Sequence, residues 1–192
     1  MQVGGSSDHD TITLGDGNID SVTVNGGSGY DTIIVGNGAF DSITLNVPSG
    51  KATGADTIIT GTGASDTVNV AAHTNADTFG FSLGTNGTSF TTVAGAQTGD
   101  HVAVGNSAGL VLTDPNGLGS TLVNEGSNSS WTSLALFIQA IATQVPGDTF
   151  VGNNGTDTFI FTDTQNGQTG AVELAGQVFA NNSIAGNVLT LA

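Results

Sequence analysis

The chain has no cysteine and a single basic side chain, Lys51, in 192 residues. The first absence removes disulfides as staples. Something else has to hold together a chain that carries 30 glycines and only 37% apolar residues. The second absence leaves sixteen acidic residues almost unopposed, for a formal net charge of −15. Nucleic acid and anionic membranes both call for Lys and Arg, so neither is expected as a partner. Such a balance suits a protein that recruits cations, with a solubilising acidic surface as the plain alternative. No apolar stretch approaches the ~20 residues of a membrane span. Met1-Gln2-Val3-Gly4-Gly5 lacks the basic start and apolar run of a secretory leader. The length fits one domain, or one elongated domain with a small appendage.

What is present is a repeat. Aligned on Asp, its units are Asp10-Thr-Ile-Thr-Leu14, Asp20-Ser-Val-Thr-Val24, Asp31-Thr-Ile-Ile-Val35, Asp41-Ser-Ile-Thr-Leu45, Asp56-Thr-Ile-Ile-Thr60, Asp66-Thr-Val-Asn-Val70 and Asp77-Thr-Phe-Gly-Phe81. Their spacings are 10, 11, 10, 15, 10 and 11 residues. Apolar side chains alternate with Thr or Ser inside each unit, which is strand periodicity. Gly15-Asp-Gly, Gly26-Gly-Ser-Gly, Gly36-Asn-Gly and Gly61-Thr-Gly separate the strands as turns. These glycines are expected where side chains would clash and where φ turns positive. Two units make one coil of about 21 residues with a strand on each face. The longer step holds Val47-Pro48-Ser49-Gly50-Lys51, read as a bulged loop that leaves the register intact.

Alternate units then share a side. Asp10, Asp31, Asp56 and Asp77 form one column, and Asp20, Asp41 and Asp66 the other. Coils of a parallel roll stack about 4.8 Å apart. Carboxylates at that distance repel by roughly 3 kcal/mol per neighbouring pair at an effective dielectric near 20. Ca²⁺, a hard cation with oxygen ligands, fits a set of carboxylates and carbonyls better than Mg²⁺ with its tighter octahedron. The candidate ligands are Asp31 first, then Asp10, Asp20, Asp41, Asp56, Asp66 and Asp77. Gly26 and Ser28 of the fullest turn, and Asp8 and Asp16 in neighbouring turns, are further positions. An Asp before a strand also closes an Asx-turn with no metal.

Gly26-Gly27-Ser28-Gly29-Tyr30-Asp31-Thr32-Ile33-Ile34 matches the nonapeptide of calcium-binding parallel β-rolls. With it stands Asp77-x-Phe-x-Phe81, a loop, then Gly99-Asp100-His101-Val102-Ala-Val104. In both respects the chain resembles the repeats-in-toxin (RTX) family of type I secreted proteins, over roughly residues 4 to 105. The resemblance implies an unfolded chain during export, folding on Ca²⁺ outside the cell, and an uncleaved C-terminal export signal read by type I secretion machinery. The chain opens inside the repeats, so a fragment of a longer protein is expected.

The change to Phe79, Phe81 and Phe90 suggests a last coil plugged by larger side chains. Residues 106–127 read as loop, with a short strand at Gly109-Leu-Val-Leu112. A helix is expected over about 129–145, capped by Asn128, Ser129 or Ser130. Its apolar stripe is Trp131, Leu134, Ile138, Ile141 and Val145, and Pro146-Gly147 ends it. Asp148–Val151 and Asp157–Phe161 read as a hairpin rather than a further repeat, followed by a strand at 171–176. This region is similar to the C-terminal part of RTX surface proteins, including surface-layer (S-layer) proteins. Asn187–Ala192 is either a last strand or the export signal.

The expected fold is therefore mainly β: a right-handed parallel β-roll or β-solenoid over residues 1–105, with a small C-terminal α+β cap over 106–192. No catalytic set stands out. His9, His73 and His101 fall at unrelated spacings, no His-Glu-x-x-His occurs, and Glu125 and Glu173 lack evident partners. The expected function is a calcium-stabilised structural module of a secreted bacterial surface protein, an S-layer protein or an RTX adhesin. It would self-associate into a surface lattice or attach to cell-surface glycan, with outward Ile34 and Ile59 as lateral contacts. The alternative is the export and folding tail of a type I secreted protease or lipase. An ice-binding solenoid, suggested by outward Thr11, Thr13, Thr23, Thr32 and Thr44, ranks last because Ser21, Ile34 and Ser42 interrupt the array.

Overall fold

The computed structural model of the chain describes residues 2–4, 9–25, 28–46, 54–82, 89–105, 122–142, 144, 148–163, 169–185 and 188–192. Asp8, Gly26, the loop 47–51, the strand expected at 109–112, and Val145-Pro146-Gly147 lie outside these described residues.

Ten strands build the coils: Gln2–Gly4 (β1), Thr11–Thr13 (β2), Ser21–Asn25 (β3), Thr32–Ile34 (β4), Ser42–Asn46 (β5), Thr57–Thr60 (β6), Ala64–Val70 (β7), Thr78–Ser82 (β8), Ser89–Ala94 (β9) and His101–Gly105 (β10). Odd strands pair in parallel with odd and even with even, each with the strand one coil away. The result is a parallel β-solenoid with two facing sheets. The alternation in the sequence sets which side chains enter. Ile12, Ile33, Ile58, Phe79 and Val102 form one buried ladder from the even sheet, register to register. Val22, Ile43, Val68 and Val93 form its counterpart from the odd sheet. Each such side chain contributes about 1.5–3 kcal/mol of burial. Thr and Ser positions between them face outward, half-buried or exposed.

The long step does leave the register intact, since Thr32 pairs with Thr57 and Ser42 with Thr67. The coil at Asp77 is not the last. β9 stacks on β7 and β10 on β8, adding one more rung. Phe79 and Phe81 are buried in the coil, but Phe90 faces outward, half-buried, against a second apolar cluster.

Both sheets run on past residue 105. Leu122–Ser127 (β11), in the stretch expected to be loop, pairs with Thr149–Asn153 (β12). Next comes the one helix among the described residues, Leu134–Ile141 (α1). β12 and Thr158–Asp163 (β13) make the expected antiparallel hairpin, and Thr169–Ala175 (β14) joins β13 to β9. The odd sheet thus has nine strands in the order β1-β3-β5-β7-β9-β14-β13-β12-β11. Ser183–Ala185 (β15) and Val188–Thr190 (β16) finish the seven-stranded even sheet beyond β10. Val188–Thr190 is the expected strand, with Leu189 and Leu191 buried.

The helix is shorter than expected, and Ser133 caps it, its Oγ accepting from Leu136 N at 3.4 Å. Asn128 instead closes a turn by accepting from Ser130. Trp131 precedes the helix, which shifts the buried stripe to Leu134, Phe137 and Ile141. That stripe packs on the outer face of the odd sheet, where Phe137 lies edge-on to Trp131 and stacks on Phe159.

Candidate functional site: two columns of corner aspartates

At each coil corner the backbone leaves the strand, and the amide of the corner Asp loses its ladder partner. The Asp of the next coil supplies one. Asp10 N donates to Asp31 Oδ1 at 3.1 Å, Asp31 N to Asp56 Oδ1 at 2.9 Å, and Asp56 N to Asp77 Oδ1 at 3.0 Å. In the other column Asp20 N donates to Asp41 Oδ1 at 2.8 Å and Asp41 N to Asp66 Oδ1 at 3.1 Å. The carbonyls of Asp10, Asp20, Asp31, Asp41, Asp56 and Asp77 accept as well, from the Thr, Ser or His after the next Asp; Thr32 N to Asp10 O, at 2.8 Å, is the first. Both expected columns are thus present, and the carboxylates of Asp31, Asp41, Asp56, Asp66 and Asp77 each fasten one coil to the one before it.

A sixth bond extends the first column. Asp77 N donates to Asp100 Oδ1 at 2.9 Å. Asp100 belongs to the ladder and was not among the expected sites, although Asp100-His101-Val102-Ala-Val104 carries the same Asp-x-apolar-x-apolar pattern.

The cost of these columns is charge. Asp31, Asp41, Asp56, Asp66, Asp77 and Asp100 are all buried. Burial raises the Asp56 carboxyl against the lowering by the Asp31 amide. It pushes Asp66 up to about 6, with the neighbouring Asp41 charge adding to the effect. It pushes Asp77 up to about 7, where the amide of Asp56 and the His73 charge pull the other way. One oxygen on each of Asp41, Asp66 and Asp77, the Oδ2, is buried with no hydrogen-bond partner.

The first column carries its own cation. His73 is buried, its Nδ1 faces the carbonyl of Ala71 at 3.0 Å, and its Nε2 faces Asp100 Oδ1 and Oδ2 at 3.0 and 3.1 Å. Neither partner can donate while Asp100 is ionised, so both ring nitrogens carry protons. The Asp100 hydrogen bond is the main reason the imidazole is raised to about 9, against the pull of burial. Asp77 Oδ2 lies 3.6 Å from the same nitrogen. The turn before Asp77, which has no glycine, holds this histidine. The second column meets no such group among the described residues.

The turn glycines answer to packing between coils. A Cβ on Gly38 would fall 1.8 Å from Gly17 O, one on Gly63 1.6 Å from Gly38 O, and one on Gly54 1.5 Å from Gly29 O. These glycines are not at positive φ, contrary to expectation. The left-handed residues at the corners are Ile19, Phe40 and Ser65, at φ 67°, 66° and 67°, each just before an Asp of the second column. Of the other expected sites, Ser28 is exposed, Asp10 and Asp20 are half-buried, and Asp16 Oδ1 accepts from Asn37 N at 2.8 Å as an exposed cap. Asp8 and Gly26 are not described.

A hard cation fits this donor set in kind, since the orphaned carboxylate oxygens lie in a stack. Among the described residues no three His, Asp or Glu side chains converge as a metal cluster, so carbonyls would have to complete any shell. Contrary to the sequence reading that no Gly-x-Ser-x-Gly elbow occurs, Gly105-Asn106-Ser107-Ala108-Gly109 has that spacing. It leaves a strand of a parallel solenoid, and 106–109 lie outside the described residues, so no nucleophile is assigned there. No protein-family model, no curated protein and no solved structure matches the chain.

Proposed function

We propose that this chain is a calcium-stabilised structural module of a secreted bacterial surface protein, ordered outside the cell when Ca²⁺ binds. The observation that carries the reading is the pair of buried, unpartnered oxygens, Asp41 Oδ2 and Asp66 Oδ2, on adjacent rungs of the second column. Leaving such groups uncompensated is costly, and the column has no histidine to do what His73 does in the first. Asp41 and Asp66, with Asp20 before them, are the residues that would hold the ion. It would supply positive charge between stacked carboxylates and so tie coil to coil. A demand for an external cation fits a protein released into a calcium-rich medium. The exposed Ile19, Phe40 and Tyr30, at 75%, 62% and 56% exposure, give the corners apolar side chains for self-association into a lattice. They serve that role better than Ile34 and Ile59, which are half-buried side by side.

The test is thermal unfolding of the wild type and the Asp41→Asn/Asp66→Asn double variant, in calcium and in EDTA. Asparagine keeps an oxygen for the inter-coil amide and removes the charge. Calcium should raise the wild-type Tm strongly and the variant's little, while in EDTA the variant should be the more stable of the two. A wild-type melt that ignores calcium would end the proposal.

A further inference from the structure

On the outer face of the odd sheet, where α1 meets β9 and β14, lies a cavity of about 400 Å³ lined by Phe90, Ser133, Leu134, Ala135, Ile138 and Glu173. Its volume falls within the ~300–1,000 Å³ of small-molecule sites. The walls are apolar except for the Ser133 cap and one carboxylate. β14 puts Glu173 there by alternation: Val172 and Leu174 enter the solenoid core, Ala171 lies under the helix, and Glu173 shares that outer face. Its register neighbours are Thr92 on β9 and Phe159 on β13. An ionisable side chain beside Phe90 and Phe159 adds nothing to the packing of the helix. The one charged described group acting on it is Asp157, of the same sign, and together with burial it raises the Glu173 carboxyl.

We propose that this cavity is a binding site for a small amphipathic organic cation, an ammonium-bearing molecule with an apolar body. The body lies against Phe90, Leu134 and Ile138, and the ammonium pairs with the Glu173 carboxylate. An anion is repelled by Glu173 and Asp157. A neutral alcohol keeps the apolar contacts and loses the charge.

Three probes of one shape separate these terms: 4-phenylbutylammonium, 4-phenylbutanol and 4-phenylbutyrate, titrated calorimetrically into the intact chain in calcium buffer, with amide NMR shifts followed at Phe90 and Glu173. The ammonium should bind best, the alcohol about tenfold more weakly, and the carboxylate not measurably. Glu173→Gln should bring the ammonium down to the alcohol's affinity and leave the alcohol unchanged. Ala135→Phe, placed on the exposed side of the helix, should fill the cavity and abolish binding of all three. Absence of ammonium binding, equal affinity for all three probes, or an ammonium preference that survives Glu173→Gln would overturn the assignment. The last result would trace the preference to the net charge of the chain.

Discussion

A corner Asp in this solenoid does two jobs with two oxygens. Oδ1 takes the amide that the turning backbone leaves unpaired, and on Asp41, Asp66 and Asp77 a buried Oδ2 is left over. The first job needs only an acceptor. Asp31→Ala should leave Asp10 N without its partner and cost about 1–3 kcal/mol, whereas Asp31→Asn should cost much less; equal losses in a urea melt would mean that the carboxylate acts by charge alone. His73→Gln removes the imidazolium facing Asp100 and Asp77. Breaking a buried ion pair from one side costs about 3–5 kcal/mol, and a neutral melt would show that the histidine is dispensable. Acidity follows from the same groups. The Asp66 and Asp77 carboxyls titrate higher in the folded chain than their ordinary 3.8, and His73 higher than its ordinary 6.5. In both cases the folded state binds more protons than the unfolded one, so stability falls as pH rises. In EDTA the Tm should therefore drop steadily between about pH 5 and pH 9, and a flat or rising profile would contradict these shifts. The Asp positions were legible from their spacing. The role of His73 was not, because its partner lies 27 residues away on another coil.

At the scale of strands and corners, the repeat dictated nearly everything. A period of two inside each unit fixed which side chains enter the core, and the common spacing fixed which strands stack. What local sequence cannot show is how close one coil comes to the next. Gly15 and Gly38 look alike in sequence, yet a Cβ on Gly15 meets nothing within 4 Å and one on Gly38 lands 1.8 Å from a carbonyl oxygen. Gly15→Ala should leave the melt nearly unchanged, while Gly38→Ala should cost about 1–3 kcal/mol through overpacking; indistinguishable variants would refute the close stacking. The same corners hold Ile19 and Phe40 left-handed, a conformation that costs a non-glycine residue roughly 1–2 kcal/mol. Helix bounds were harder to read. Asn128, Ser129, Ser130 and Ser133 offer the same capping chemistry, and only the docking of Phe137 on Phe159 selects Ser133.

For the molecule as a whole, the coils and the closing segment share their sheets. β14 adds directly to β9, β16 to β10, and the principal apolar cluster extends from Ile12 to Leu191. The solenoid therefore ends against paired strands at this side, with a helix on its outer face and no free edge at β9 or β10. That hairpin was readable from Asn153-Asn154-Gly155, but its attachment to the repeat was not, since β14 and β9 lie far apart in the chain. The unequal endowment of the two columns was equally hidden. One carries a histidine at its end, and the other leaves two buried oxygens bare. The most direct measurement is calcium counted per chain by elemental analysis after equilibration and desalting, on wild type and on Asp41→Asn/Asp66→Asn. Bound calcium in the wild type, lost on chelation together with a large fall in Tm and reduced in the variant, is the expected result. A wild-type chain that holds no calcium and melts at the same temperature in EDTA would contradict it.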